Sequence, residues 1–192
     1  MSTIVVTGAS GALGSVVCAR LEKAGASVFR IDRKVADLTD EAQVERAFDR
    51  AGALRGSVHC AGGWAAGSDA LAFDKMIALN LRSALLCCNA AAKRMDAGGR
   101  IVNVAAWTAA SSSGLAGSIA YNAAKAGVIA LTKAFAEKGP ARCNCVAPAA
   151  MTTPGNPPSP ALVPVEEVAE AIVFLLSEAA PNGAVLTFPP RA

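Results

Sequence analysis

Histidine and tyrosine are scarce in this sequence, since each occurs once among 192 residues and aromatic residues make up only 5% of the chain. With His59 as the only histidine, and with six cysteines whose spacings do not match zinc-binding motifs, the sequence predicts no metal site. No Gly-x-Ser-x-Gly pattern accompanies the histidine, which argues against a serine hydrolase. We expect the cysteines to be reduced and mostly buried, as is usual in the cytoplasm.

Charged residues are also few, at 17% of the chain, and the formal net charge is +3. The basic residues are scattered, which argues against a nucleic-acid partner. The sequence has no apolar run of about 18 residues and no basic leader followed by an apolar stretch, so we expect no membrane-spanning segment, no secretion and a cytoplasmic location. Hydrophobic residues make up 53%, enough for a packed core, and the length fits a single domain over residues 1–192.

Segments with strand-like and helix-like apolar spacing alternate along the whole chain. The predicted strands cover residues 3–7, 27–31, 54–60, 100–105, 141–146 and 184–188. The predicted helices cover residues 12–25, 40–51, 69–95, 118–138 and 165–177, and residues 106–117 and 147–164 are predicted to be loops. The alternation predicts a single doubly wound, Rossmann-type α/β domain whose parallel sheet has helices on both faces. Residues 33–36 are too few for a crossover helix, so we expect the fold to be shortened after its second strand.

A glycine-rich turn from Gly8 to Gly14 (GASGALG) joins the first predicted strand to the first predicted helix. Glycine lets the backbone approach a pyrophosphate, and the helix N-terminus behind it supplies N–H donors. Asp32 lies 24 residues after the first of these glycines, at the end of the second strand, where a carboxylate accepts hydrogen bonds from an adenosine ribose. A carboxylate there repels a 2′-phosphate, so the sequence favours NADH, while Arg33 and Lys34 leave NADPH possible.

The sole tyrosine, Tyr121, is followed four residues later by Lys125 in a segment with helical spacing. A step of four residues places both side chains on one helix face, where the ammonium can lower the pKa of the phenol. The pair follows the strand and loop that would border a cofactor at the carboxyl ends of the sheet. This position favours a proton donor over an ordinary surface pair.

Several landmarks of the chain, in this order, resemble the short-chain dehydrogenase/reductase family. They are the turn at 7–14, Asp37-Leu38, Cys60-Ala61-Gly62, Asn80 in a predicted helix, the strand at 101–104 (IVNV), and Tyr121 with Lys125. The resemblance implies that Tyr121 is the general acid, that Lys125 holds the nicotinamide ribose, and that Asn80 orders a water in a proton relay. It also implies a homo-oligomer, either a dimer or a tetramer, that acts on a small-molecule substrate.

The same resemblance assigns contacts to NADH, with NADPH kept as a possibility. Pro148 and Thr153 fall where members of the family close over the nicotinamide. The cofactor contacts implied are Gly8, Ser10, Ala12, Leu13, Gly14, Asp32, Arg33, Asp37, Leu38, Ala61, Gly62, Gly63, Tyr121, Lys125, Pro148 and Thr153.

One departure from the family pattern affects the predicted chemistry. The serine that usually binds a substrate carbonyl follows the 101–104 strand, and this chain has Ala105 and Ala106 in that place. Thr108, which lies 13 residues before the tyrosine, or a serine of the 111–113 run is an alternative source of the hydroxyl.

The chain resembles the dihydropteridine reductase branch of the family, which also has alanine in place of the usual serine and a shortened segment after the second strand. The turns of that branch are similar to residues 11–15 (GALGS), 61–65 (AGGWA) and 153–156 (TPGN). We therefore predict that Trp64 stacks on a flat pterin ring, with Ala106 and Thr108 as further substrate contacts. The preferred prediction is NADH-dependent reduction of a quinonoid dihydropteridine. A short-chain reductase of ketones or aldehydes and a non-catalytic nucleotide-binding module are the alternatives.

Overall fold

The computed structural model describes residues 3–139, 141–153, 156 and 159–191. Its strands are β1 (Thr3–Thr7), β2 (Ser27–Ile31), β3 (Leu54–His59), β4 (Met95–Val104), β5 (Arg142–Pro148) and β6 (Val185–Phe188). Its helices are α1 (Ala12–Lys23), α2 (Glu41–Ala51), α3 (Ala70–Met76), a π-helix (Ile77–Arg82), α4 (Ser83–Ala92), α5 (Trp107–Ser111), a short 3-10 helix (Leu115–Gly117), α6 (Ile119–Lys138) and α7 (Val165–Leu175).

The six strands form one parallel sheet in the order β2-β1-β3-β4-β5-β6. Alternate residues of a strand point to opposite faces, so Ile4 and Val6 pack with α1 and α7 while Val5 packs with α2 and α4. Both faces are therefore buried, as the continuous apolar runs predict. The predicted doubly wound Rossmann-type fold is confirmed.

The shortening after the second strand is also confirmed. Residues 32–40 form turns, in which the N–H groups of Val35 and Ala36 donate to the Asp32 carbonyl at 3.0 and 3.1 Å. Asp40 then caps α2 by accepting a hydrogen bond from the Gln43 N–H, at 3.1 Å. Doubly wound sheets of the order 3-2-1-4-5-6 carry a further strand beyond the second. In the described sheet, β2 is the outermost strand on that side.

The prediction of one helix over residues 69–95 is wrong in its interior and at its end. Three consecutive segments, α3, the π-helix and α4, occupy this region, and α4 ends at Ala92. Met95 already belongs to β4, where it pairs with Leu54, and the 98–99 glycines lie inside the strand rather than ending the helix. The register between β3 and β4 shifts here, so β4 carries extra residues in a bulge.

Other boundaries differ from the predictions by a few residues, except in the predicted loop at 106–117, which contains α5 and the short 3-10 helix. The strand order reverses between β1 and β3, and ligands of doubly wound folds bind outside the carboxyl ends of the strands at such a reversal. Among the described helices, none has the length and apolarity needed to cross a membrane.

Candidate functional site

The glycine turn after β1 brings the backbone into close contact with the neighbouring strand end. Gly8 has a φ of 64°, and a Cβ there would lie 2.7 Å from the Ala61 nitrogen. A Cβ on Gly14 would overlap the carbonyl oxygen of Gly8 and lie 2.8 Å from its carbonyl carbon. Only glycine therefore fits at these two positions without moving the backbone.

The N-terminus of α1 opens at this turn with its first N–H groups available to a ligand. Its N-cap is Gly11, which has no side chain to occupy them, and the first turn (ALGS) is uncharged. Such a helix end attracts an anion through its N–H groups and its dipole. Ser10 is exposed beside it, whereas the side chain of Leu13 is buried in the core, so only its backbone can meet a phosphate.

Asp32 lies at the end of β2, as predicted, and its carboxylate is partly engaged. One oxygen accepts a hydrogen bond from the Lys34 N–H at 2.9 Å, and the side chains of Arg33 and Lys34 are exposed. Asp37, in contrast, is tied to its own turn, because one of its oxygens accepts from both the N–H and the hydroxyl of Thr39. These hydrogen bonds hold the pKa of Asp37 below its usual value. Leu38 packs on the core beside α2.

Tyr121 and Lys125 lie one turn apart on α6, with the lysine ammonium 5.7 Å from the centre of the tyrosine ring. Lys125 is 5% exposed and donates to the Val104 carbonyl at the end of β4, at 2.7 Å. Burial lowers the pKa of Lys125 to about 8 and raises the pKa of Tyr121 to about 12. The predicted lowering of the tyrosine pKa by the lysine is wrong, because loss of hydration on burial raises it.

Asn80 lies in the π-helix and holds the loop that follows β3. Its amide accepts from the Gly63 N–H at 3.2 Å and donates to the Gly63 carbonyl at 2.9 Å, and it also donates to the Met76 carbonyl. A Cβ on Gly62 would lie 2.7 Å from the Asn80 Oδ1 and 3.4 Å from the Lys125 Nζ. The side chain of Asn80 thus has a supporting role that sequence reasoning missed, and ordering of a water by Asn80 stays a prediction.

A second asparagine, Asn122, directly follows the tyrosine on α6 and holds the hydroxyl of Thr108. Thr108 Oγ1 lies 2.6 Å from Asn122 Oδ1, while Asn122 Nδ2 donates to the Leu115 carbonyl at 2.9 Å. Because the amide protons of Asn122 point to Leu115, the threonine hydroxyl donates to the amide oxygen. Asn122 was not among the predicted site residues, although its place directly after Tyr121 was a signal that could have found it.

The remaining predicted substrate residues differ in how accessible they are. Ala105 and Ala106 are buried at the end of β4, and Ser111 donates its hydroxyl back to the Trp107 carbonyl within α5. Trp64 is 65% exposed. The loop that carries it is attached to α6 through a 3.0 Å hydrogen bond from the Ser118 hydroxyl to the Ala65 carbonyl.

The loop after β5 lies only partly within the described residues. Pro148 is the last residue of β5, and Thr153 forms an isolated antiparallel bridge with Asn156. Pro154 and Gly155, which complete the TPGN motif, lie outside the described residues. The hydroxyl of Thr152 accepts from the Val165 N–H at 3.3 Å, which links this loop to the start of α7.

Comparison with known proteins matches residues 2–186 to the family described as enoyl-(acyl carrier protein) reductase. The chain is also 34% identical to the cis-4-hydroxycyclohexanecarboxylate dehydrogenase of Sinomonas cyclohexanicum, over 92% of this chain and 89% of that protein. The chain belongs to the short-chain dehydrogenase/reductase family. The predicted family is confirmed, whereas these comparisons do not show the dihydropteridine reductase branch.

Two further relatives of this short-chain dehydrogenase/reductase show the range of the similarity. The short-chain dehydrogenase/reductase ABA4 of Pyricularia oryzae is 44% identical, but the match spans 43% of this chain and 31% of that protein, so the chain covers about a third of the length of this relative. A solved short-chain dehydrogenase from Burkholderia cenocepacia J2315, in complex with NADP, superposes with a TM-score of 0.86 at 25% identity, over 98% of this chain and 96% of that one.

Several features of this short-chain dehydrogenase/reductase fit a nicotinamide dinucleotide. The uncapped N-terminus of α1 suits a pyrophosphate, the Asp32 carboxylate at the end of β2 can accept hydrogen bonds from a ribose, and the space beside Gly62 adjoins the Lys125 ammonium. A side chain at Gly62 would fill the space beside this ammonium.

His59 makes the stability of the protein sensitive to acid. Its ring is buried at the carboxyl end of β3, and burial, together with the nearby charge of Lys125, lowers the pKa of His59 to about 3. In the unfolded chain a histidine has a pKa of about 6.5. Below pH 6.5 the histidine therefore binds a proton in the unfolded state but not in the folded state, and the free energy of unfolding falls as the pH drops.

We expect this one group to lower the free energy of unfolding by about 2 kcal/mol between pH 7.5 and pH 5. Urea unfolding at the two pH values measures the loss, with His59→Gln as the control. The glutamine variant should lose about 2 kcal/mol less than the wild type over the same interval. An equal loss in both proteins would contradict a neutral, buried His59.

Proposed function

We propose that this chain is a nicotinamide-dependent oxidoreductase that interconverts a secondary alcohol and its ketone, with Tyr121 as the residue that gives or takes the proton. The observation that carries the proposal is the Thr108–Asn122 hydrogen bond, because it holds a hydroxyl at the residue that directly follows the tyrosine on α6. A hydroxyl and a phenol together can hydrogen-bond one carbonyl oxygen. The relative named for cis-4-hydroxycyclohexanecarboxylate supports a cyclic secondary alcohol as the substrate class.

The nicotinamide, when bound, supplies or accepts the hydride, and the protein handles the proton. With a pKa of about 12, Tyr121 is protonated at neutral pH and can donate to the oxygen of a ketone as it is reduced. Lys125, with a pKa of about 8, is mostly charged at pH 7 and stabilises the phenolate that remains. Its bond to the Val104 carbonyl fixes where that charge lies.

Thr108 takes part through one rotation of its hydroxyl. The hydroxyl proton points to Asn122. Turning about the Cβ–Oγ1 bond redirects this proton to a substrate carbonyl oxygen, which exchanges one hydrogen bond for another. Ala105 and Ala106 offer no hydroxyl, so Thr108 supplies the donor that the predicted serine position lacks.

Reduction of a quinonoid dihydropteridine is the second candidate. Trp64 favours it, because an aromatic side chain that is 65% exposed on the loop after β3 can stack on a flat ring. A conjugated ring also has less need of a hydroxyl aimed at a carbonyl. A non-catalytic nucleotide-binding module is the least supported alternative, since Tyr121 and Lys125 are both present and held in one arrangement.

Turnover measurements distinguish these candidates. Purified protein is assayed with a panel of cyclic secondary alcohols and ketones, and with chemically generated quinonoid dihydropterin, using each of NADH and NADPH. We expect turnover on the alcohol and ketone panel, and a preference for NADH because of Asp32. Activity on the pterin alone would replace the first candidate by the second, and cofactor binding without any turnover would support the non-catalytic module.

Removing the hydroxyl of Thr108 tests its role. We expect Thr108→Val to lower kcat with a ketone about 100-fold, as loss of one donor to a developing oxyanion does, and Thr108→Ser to stay within about threefold of the wild type. With quinonoid dihydropterin the valine variant should be nearly unaffected. A ketone kcat that is unchanged in Thr108→Val would refute the role of this hydroxyl.

The homo-oligomer and the cytoplasmic location remain predictions. Exposed apolar side chains of α3 and α6, namely Leu71, Phe73 and Ile119, support association between copies of the chain. Light scattering of the purified protein measures the oligomeric state, dimer or tetramer.

A further inference from the structure

His59 occupies a position from which it contacts two separate parts of the site. Its ring lies at the carboxyl end of β3, is 2% exposed, and uses both nitrogens. Nδ1 is 2.8 Å from the Thr7 hydroxyl at the end of β1, and Nε2 is 3.3 Å from the Ser83 hydroxyl at the start of α4. None of these side chains has a role in the proposed transfer of hydride and proton.

The directions of these hydrogen bonds follow from their outer partners. Ser83 donates its proton to the Leu79 carbonyl at 2.7 Å, so its oxygen must accept from His59 Nε2–H. A neutral ring then has an unprotonated Nδ1, which accepts from the Thr7 hydroxyl. The Thr7 oxygen in turn accepts from the Ala61 N–H at 3.4 Å. One directional series of hydrogen bonds thus runs from Ala61 to Leu79.

The two ends of this series are linked to the loop from Ala61 to Gly63, one directly and the other through a neighbouring residue. The first end is the Ala61 N–H itself. The second end is Leu79 in the π-helix, whose neighbour Asn80 pairs with both backbone groups of Gly63. A π-helix places its side chains differently from an α-helix, and such segments often occur at functional sites. The Ser83 bond fixes the turn from which Asn80 reaches the loop.

We propose that His59 is a positioning residue that fixes the Ala61–Gly63 loop at both ends and thereby sets the affinity of the protein for the nicotinamide cofactor. The Thr7 branch fixes the start of the loop, and the Ser83 branch acts through Asn80 on its end. The inference rests on the proposed use of a nicotinamide cofactor, but not on the identity of the substrate.

Two variants of His59 separate the branches. Asparagine places an amide near the position of Nδ1 and keeps the Thr7 branch, whereas glutamine reaches the position of Nε2 and keeps the Ser83 branch. We expect His59→Asn to weaken NADH binding about tenfold, measured by the fluorescence of the bound nicotinamide. In an Asn80→Ala background the same substitution should have no further effect, because the branch acts through Asn80. His59→Gln, which keeps the Ser83 branch, should change the affinity for NADH by the same factor in the wild type and in Asn80→Ala.

Ser83→Ala provides a second test if the Asn80 variant does not fold. It removes the same branch without changing the histidine, so it should weaken NADH binding as His59→Asn does, and the double variant should be no weaker than either single one. Thr132→Val is the control for stability alone, since it removes a buried hydroxyl that hydrogen-bonds Asn103 on β4. It should lower Tm without changing the affinity for NADH.

The outcomes are distinct. An effect of His59→Asn that is the same with and without Asn80, or an effect of Thr132→Val as large as that of His59→Asn, would overturn the inference. If the wild type binds NADH but turns over no substrate, the proposed function fails while the inference is still tested by binding. If it binds neither NADH nor NADPH, the control of cofactor affinity by His59 is overturned together with the proposed use of the cofactor.

Discussion

Replacing Tyr121 by phenylalanine is expected to lower kcat at least about 100-fold, because the variant has no group to give the proton to the substrate oxygen. The phenylalanine ring keeps the packing of α6 on the π-helix, so Tm should change little. The affinity for NADH, measured by fluorescence, serves as the control and should stay within about threefold. Near wild-type turnover would remove Tyr121 from the mechanism.

The pH dependence of the wild type adds a check on the same residue. Burial raises the pKa of Tyr121 to about 12, so the phenol holds its proton throughout the neutral range. Reduction of a ketone, which needs that proton, should therefore vary little between pH 6 and 8. Oxidation of an alcohol, which needs the phenolate, should become faster as the pH rises. This asymmetry should be absent from the residual activity of Tyr121→Phe.

Replacing Gly14 by alanine should have the largest effect on stability. The new Cβ would overlap the Gly8 carbonyl, which belongs to the backbone and cannot rotate away as a side chain would. We expect a loss of about 3 kcal/mol, which for a chain of this size lowers Tm by about 6–12 °C, together with weaker cofactor binding as α1 moves away from the turn.

Gly98→Ala is the matched control for this prediction. A Cβ at Gly98 meets nothing within 4 Å, and the residue is exposed in β4. Its substitution should change the free energy of unfolding by less than about 1 kcal/mol. Equal losses in the two alanine variants would mean that the close approach of α1 to the turn does not limit stability.

The sequence is sufficient to predict the local elements of the fold around the turn. β1, the glycine turn, α1 and β2 follow from β-branched runs, glycine and helical spacing, all of which act over a few residues. The missing crossover is equally local, because residues 33–36 are too short to form a helix. Asp32 could be placed for the same reason, since it ends a predictable strand.

Features that depend on contacts between residues far apart in the sequence could not be predicted. The π-helix has an ordinary composition (IALNLR), and its wider turn is associated with bonds from Asn80 to a loop 17 residues away. The pair at 98–99 indicated a helix end, yet pairing of Met95 with Leu54 places these glycines in a strand. The pKa of Tyr121 was predicted from one neighbour, Lys125, whereas burial by the whole fold decides it.

The position of β2 at the border of the sheet has a consequence for solubility. The outer row of N–H and C=O groups of an outermost strand can pair with another chain, which is a route to aggregation. In this protein the border carries two cations, Arg30, which is bonded to Glu22, and Arg50, which lies 5.8 Å from the centre of the Phe29 ring. Charged side chains along an edge strand disfavour its pairing with another chain, and β2 is only five residues long, so both features protect this border.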